Sequence, residues 1–258
     1  MSRLTVLVVG ANGSIGRLAV TESLHRGHRT RALVRDARRG ASMLGDAEIV
    51  IGDLTTAATL PDAVDGVDGV VFTHGSHGGA AEAERVDYGA VRNVLEALGD
   101  RRARIVLMTA IGVTKRTPGH DWKRRGERLV RASGLPYTIV RPGWFDYNDP
   151  DQQRLVMLQG DRRWASDPSD GVVSRAQIAQ VLVASLTSQA ADHKSLELVA
   201  EHGPAQTDLE PLFGALQPDP AGALDAVRDQ ENMQLDREPC AVVDDLESAR
   251  RRLRRPAR

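Results

Sequence analysis

Short apolar runs alternate, over the first 145 residues, with longer segments whose apolar positions recur at helical spacing. Leu4-Thr5-Val6-Leu7-Val8-Val9 runs into a glycine and reads as a strand buried on both faces. Ile15, Leu18 and Ala19 follow at helical spacing, and Gly27 stops that helix. Further strands are predicted at Thr30–Arg35, Ile49–Ile51, Val67–Thr73, Ile105–Thr109 and Tyr137–Arg141, with Val91, Val94, Leu95 and Leu98 marking the apolar face of a long helix. The alternation predicts an α/β fold, a doubly wound parallel sheet with helices on both faces.

Beyond Pro142 the rhythm loosens. Turn clusters at 148–151 and 167–171 flank a short strand, Leu155–Leu158. Ser174 and Gln177 form a capping-box signature ahead of a helix with Ile178, Val181, Leu182 and Leu186 on its apolar face, and Leu196–Val199 reads as a last strand. The Pro- and Gly-bearing stretch 217–222 reads as a break. The expected organisation is therefore one domain over 1–216, with substrate-region insertions after 145, and a charged, helical tail over 217–258. The arginine run 250–255 reads as a solvated helix end or a frayed terminus.

Composition narrows the function classes. A net charge of −1 over 258 residues supplies no basic field, so no nucleic-acid partner is expected. Aromatics at 3% argue against recognition dominated by stacking. Cys240 is the only cysteine, which excludes an intrachain disulfide and a thiolate metal cage. No apolar stretch has membrane-spanning length, and Met1–Arg3 runs straight into the first strand without the layout of a signal peptide; the expectation is a cytoplasmic protein with no membrane partner.

The first strand–helix junction carries the clearest chemistry. Gly10-Ala11-Asn12-Gly13-Ser14-Ile15-Gly16 places three glycines at G-x-x-G-x-x-G spacing directly after an apolar strand and before a helix. Phosphate binding at a helix start needs free N–H groups and close approach, which residues without a Cβ permit. Gly10 suits the sharp turn, Gly13 the approach of a pyrophosphate and Gly16 tight helix–strand packing, while Asn12 and Ser14 add side-chain donors. The loop predicts a dinucleotide-binding Rossmann domain. At the end of the second strand stands Arg35, where an acidic residue would read a ribose 2′-hydroxyl; a guanidinium there favours NADP over NAD. Asp53, after the third strand, suits either the adenine amino group or a simple helix N-cap, with Leu54 against the adenine ring.

These residues, with Gly52-Asp53-Leu54, the run Val86-Asp87-Tyr88-Gly89-Ala90-Val91-Arg92-Asn93 and the run from Ser133 to Gly143, resemble the short-chain dehydrogenase/reductase superfamily, and within it the atypical NmrA-like NAD(P)H-binding branch. The resemblance covers about residues 4–200 and implies some seven parallel strands, a nicotinamide cofactor across their carboxyl ends and a small C-terminal substrate region. It implies cofactor contacts from Thr73, His74 and Gly75 after the fourth strand and from Pro142 and Gly143 after the sixth, with Trp144 a possible pocket wall. It also implies that helices near 80–99 and 118–133 could pack between subunits of a homo-oligomer.

Active members of the superfamily carry Tyr-x-x-x-Lys. Lys123 fits the lysine position, and Gly119 stands where the tyrosine would be. Only three of the 34 Lys and Arg residues are lysines, so a lysine at this position favours cofactor contact over a helical pair with Glu127. With no phenol available, a proton would come from His120, Asp121, Tyr147 or water. His74, His77, His120 and Asp121 match no metal-ligand spacing, so no metal is expected. Two functions follow: an NADP-dependent oxidoreductase reducing a small carbonyl, quinone or conjugated double bond, or a non-catalytic NAD(P)H sensor. A sugar-nucleotide epimerase is the weaker third reading, because that branch generally also uses the tyrosine.

Overall fold

The computed structural model describes residues 3–41 and 44–253. Met1, Ser2 and the end of the arginine run, Arg254 and Arg255, lie outside them. The strands are β1 (Thr5–Val9), β2 (Arg29–Val34), β3 (Glu48–Ile51), β4 (Gly69–Phe72), β5 (Arg104–Met108), β6 (Tyr137–Pro142), β7 (Trp144–Phe145), β8 (Arg154–Leu158), β9 (Val172–Val173) and β10 (Lys194–Glu201). The helices are α1 (Ser14–His25), α2 (Ala37–Ala41), α3 (Pro61–Val64), α4 (Ala80–Ala83), α5 (Gly89–Leu98), α6 (Pro118–Ser133), α7 (Arg175–Ala184), α8 (Glu210–Gly214) and α9 (Cys240–Leu253).

The strands form one sheet, in the order β3-β2-β1-β4-β5-β6-β10-β9-β7, with β8 also on β10. From β3 to β10 every pairing is parallel, which delivers the expected seven parallel strands. The expectation missed β7 and β9, and with them the antiparallel margin made where β8 and β9 pair with β10. Two-residue strands carry too little periodicity to be read.

The chain runs from β1 outward to β3, returns to β4 and proceeds the other way. The strand order therefore reverses between β1 and β4, opening a crevice at their carboxyl ends. One core lies under α1 and α7, joining Val6, Val8, Val71 and Val106 to Ile15, Ala19, Ile178 and Leu182. The other lies under α5, α6 and α9, joining Leu7, Val70, Phe72 and Ile105 to Val94, Leu129, Val242 and Leu246. The Ser174–Gln177 capping box forms at the start of α7 as expected. The helix expected over 80–99 is interrupted by a π-helical stretch, Glu84–Tyr88.

The C-terminal segment departs most from expectation. Among the described residues of the tail only Cys240–Leu253 is α-helical, and 217–239, apart from a 3-10 turn at Leu235–Arg237, is held by charge. Arg124 and Arg128 of α6 both pair with Asp225 at 3.0 and 2.6 Å, Arg125 with Glu238 at 2.6 Å, and Arg131 with Asp219 at 3.2 Å. Arg141 of β6 grips Glu127 and Asp229, each at 2.7 Å. Arg124, Arg128, Arg131 and Arg141 are buried, as are Glu127, Asp219 and Glu238, while Asp225 is half-buried, and together they form the seam between α6 and the tail. One face of α6 thus carries the chain's own last segment.

Candidate cofactor and active site

The glycine loop lies at the reversal point. Gly10 has φ +83°, and a Cβ there would stand 2.7 Å from the His74 amide nitrogen, so β1 turns against the end of β4 only with glycine at this position. A Cβ on Gly16 would stand 2.1 Å from the Gly10 carbonyl oxygen, so α1 starts directly on the turn. Gly13 is the N-cap of α1 and supplies no side-chain acceptor to its first-turn amides. Asn12, Gly13 and Ser14 are exposed, whereas Ile15 is buried under the loop. A pyrophosphate fits here: helix-start donors without a side-chain cap lie beside the exposed stretch 12–14, on a turn whose close packing requires glycine at 10 and 16.

The residues expected to meet the adenosine share a pocket. Arg35 and Asp53, from the ends of β2 and β3, line one pocket of about 460 Å³ together with Ile51, Gly52, Ala58, Thr59, Pro61 and Asp62. The Asp53 carboxylate receives the Thr55 amide and hydroxyl, each at 2.8 Å, and these hydrogen bonds hold it below the usual carboxylate range. It is thus an ionised acceptor that shapes its own turn; it does not cap a helix. Leu54 is half-buried, and its carbonyl receives the Asn93 amide at 2.7 Å.

The nicotinamide end differs from expectation in how residues contribute. Thr73 donates its hydroxyl to the Val9 carbonyl at 2.9 Å, locking β4 to β1. The His74 imidazole turns inward, edge-on to Phe72 with 5.5 Å between ring centres, and leaves only its backbone beside Gly10. Burial holds that imidazole at about 4, hence neutral. Gly143 owes its small size to packing, since a Cβ would stand 2.4 Å from the Gly171 carbonyl oxygen. Pro142 is buried at the end of β6, and Gly75 is exposed. Thr109 donates to Glu127 at 2.7 Å.

Lys123 does not pair with Glu127, which is buried and claimed by Arg131 and Arg141. Its ammonium lies 2.8 Å from Asp87, whose carboxylate also receives the Ser76 amide and hydroxyl. The Val86–Asn93 run therefore ties two rim loops to one helical segment, through Asp87 to the loop after β4 and through Asn93 to the loop after β3. The sequence run marked the kinship without showing these roles.

Of the proton-donor candidates, Asp121 is engaged by both arms of Arg116, at 2.8 and 2.9 Å. Tyr147 is exposed, with its ring edge-on to Trp144 at 5.9 Å. His120, in the first turn of α6, keeps a buried Nδ1 with no hydrogen-bond partner, and burial lowers its pKa. Its ring borders Gly112, beyond the end of β5, as does the Trp164 ring, whose Nε1 is also buried without a partner. A Cβ on Gly119 would meet no atom within 4 Å, so the missing tyrosine leaves open space. Among the described residues no His, Cys, Asp and Glu group has the makings of a metal site, and no helix is long and apolar enough to cross a membrane.

A sequence profile described as NAD(P)H-binding matches residues 10–189. The sanguinarine reductase of Eschscholzia californica is 25% identical over 264 residues, covering 82% of this chain and 95% of that protein. An uncharacterized sugar epimerase of Bacillus subtilis is 29% identical over 222 residues, covering 81% and 100%. A solved structure from Bacillus halodurans, described as a provisional NAD-dependent epimerase/dehydratase, superposes with a TM-score of 0.69 at 24% identity, over 83% of this chain and all of that one. At that identity the structural likeness shows the fold.

Proposed function

This chain belongs to the NAD(P)H-binding family of Rossmann proteins, in the atypical NmrA-like reach of the short-chain dehydrogenases/reductases, and on that premise we propose that it is an NADP(H)-dependent reductase of a small carbonyl, quinone or conjugated double bond. The observation that carries the NADP preference is the placement of Arg35 and Asp53 in one pocket beside the ends of β2 and β3, the neighbours of β1 and its glycine loop in the sheet. The guanidinium suits a 2′-phosphate, and the ionised Asp53 suits the adenine amino group. The reductase named among the relatives supports the redox half of the reading.

When bound, the cofactor supplies the hydride. The chain's part is to hold it: first-turn amides of α1 and Ser14 at the pyrophosphate, Arg35 at the 2′-phosphate, and Lys123 over the nicotinamide ribose. His120, whose burial favours the neutral ring and which hydrogen-bonds to the backbone at Gly112, is the proposed side chain nearest a substrate oxygen at the end of β5. A quinone would take its proton from water. The proposal includes a cytoplasmic setting, a small-molecule substrate as partner, and assembly as a homo-oligomer.

Gly119 favours one other reading, a sensor that binds the dinucleotide without turnover. NADPH consumption with a panel of quinones, aldehydes and enones separates the two. Steady oxidation with any class, reduced by His120→Gln for carbonyls, supports the reductase. Tight binding with no consumption across the panel leaves the sensor.

A further inference from the structure

A second cation reaches the glycine loop from a distant part of the chain. Arg175 opens α7, and its Nε donates to Ser14 Oγ at 3.1 Å, across 161 positions of sequence. Ser14 opens α1, where Gly13 leaves the first-turn amides uncapped. The guanidinium of α7 thus sits beside the residue that opens α1, next to the glycine loop. Its placement is determined at both ends. The Arg175 amide donates to Asp146 Oδ1 at 2.9 Å, and the guanidinium meets the other oxygen of the same carboxylate. The guanidinium also lies over the Phe145 ring, 5.3 Å from its centre. Asp146 itself has φ +58°, a conformation that Asp and Asn tolerate better than other side chains.

We propose that Arg175 is a direct phosphate ligand of the dinucleotide, clasping the pyrophosphate from the substrate-region side, with Asp146 as the residue that positions and partly neutralises it. The inference rests on the dinucleotide reading of the glycine loop. It assigns a cofactor contact to the substrate region, so that α7 and the β7 end close on the pyrophosphate, opposite the first turn of α1. The chemistry is that of a forked cation meeting paired phosphate oxygens. Because the pyrophosphate is common to both pyridine dinucleotides, Arg175 adds affinity without choosing between them.

The test titrates NADPH and NADH into the unmodified chain and the Arg175→Ala, Arg175→Lys, Asp146→Asn and Arg35→Ala variants, by cofactor fluorescence, with thermal melts as a folding control. Arg175→Ala is expected to weaken both dinucleotides by the same factor, about ten- to a hundredfold. Arg175→Lys should recover part of the loss. Asp146→Asn, which keeps an acceptor for the Arg175 amide but removes the competing charge, should bind both at least as tightly as the unmodified chain. Arg35→Ala should weaken NADPH alone. Unchanged affinity in Arg175→Ala, a loss confined to NADPH, or an Asp146→Asn loss equal to that of Arg175→Ala each overturns the proposal. If the unmodified chain binds neither dinucleotide, the reading beneath the proposal fails as well, and the two failures are thereby distinguished.

Discussion

The Lys123 ammonium and the Asp87 carboxylate lie 2.8 Å apart, joining the π-helical stretch Glu84–Tyr88 to helix α6. Asp87 is also the acceptor for the Ser76 amide and hydroxyl at 2.9 and 2.6 Å, so a single carboxylate fixes both the lysine and the loop after β4. Replacing Lys123 by Met leaves a buried carboxylate short of a partner. We expect a stability loss of about 1–3 kcal/mol, together with weaker binding of NADPH and NADH alike. Urea unfolding and fluorescence titration measure the two effects. Unaltered binding of both dinucleotides would remove Lys123 from the cofactor site.

Two glycine-to-alanine changes have opposite expected signs. At Gly16 the added methyl meets the Gly10 carbonyl oxygen at 2.1 Å, and the clash is expected to cost about 1–3 kcal/mol and to abolish dinucleotide binding. At Gly119 no atom lies within 4 Å, and alanine in α6 is expected to add about 0.4–1 kcal/mol. Paired urea melts check both. Equal effects at the two positions would contradict the described packing.

Arg141 holds Glu127 and Asp229 at 2.7 Å each, all buried. Glu127 is held down at about 2 despite its burial, because Arg141 and then Arg131 offset the desolvation. Truncating Arg141 to Met strands two carboxylates and is expected to destabilise by about 3–5 kcal/mol. Calorimetry should also show earlier release of the segment after 217. A Tm equal to that of the unmodified chain would mean that the seam contributes nothing net.

Two buried groups set opposing pH dependences. Burial pushes the Glu197 carboxyl up from 4.5 to about 7, so its contribution is complete below pH 4.5 and is lost as pH rises through 7. Burial holds the His74 imidazole down from 6.5 to about 4, so its contribution is complete above pH 6.5 and is lost as pH falls through 4. Between pH 4.5 and 6.5 the two slopes cancel. Glu197→Gln removes the falling arm, and stability should then rise across that window by about 2–3 kcal/mol. Denaturant midpoints at several pH values measure it; a flat profile in the variant counts against the assignment.

What the sequence made legible was what regular spacing encodes. The parallel strands, the capping box of α7 and the glycine turn all follow from local pattern, whereas α6 came only with the family resemblance. The two-residue strands β7 and β9 gave no period to read, and the π-helical stretch at 84–88 interrupts a pattern that otherwise reads as one helix. The larger gap was charge. Arg124, Arg131 and Arg141 resemble any surface arginine until the fold brings Asp225, Asp219 and Asp229 to them across about a hundred residues. A longer separation, 161 positions, hid Arg175 from Ser14. His74 was placed correctly along the chain, yet the direction of its ring depends on Phe72 and the Asp87 carbonyl, which spacing does not specify.

The central claim is that the turn from Gly10 to Gly16 holds a pyrophosphate while Arg35 selects the phosphorylated ribose. Calorimetric titration of the unmodified chain with NADPH and NADH, repeated with Arg35→Ala, tests it most directly. The account predicts one site per chain, tighter binding of NADPH, and loss of that preference in the variant with NADH binding retained. Absence of heat for both dinucleotides at millimolar concentration, or a preference that survives removal of Arg35, would contradict it.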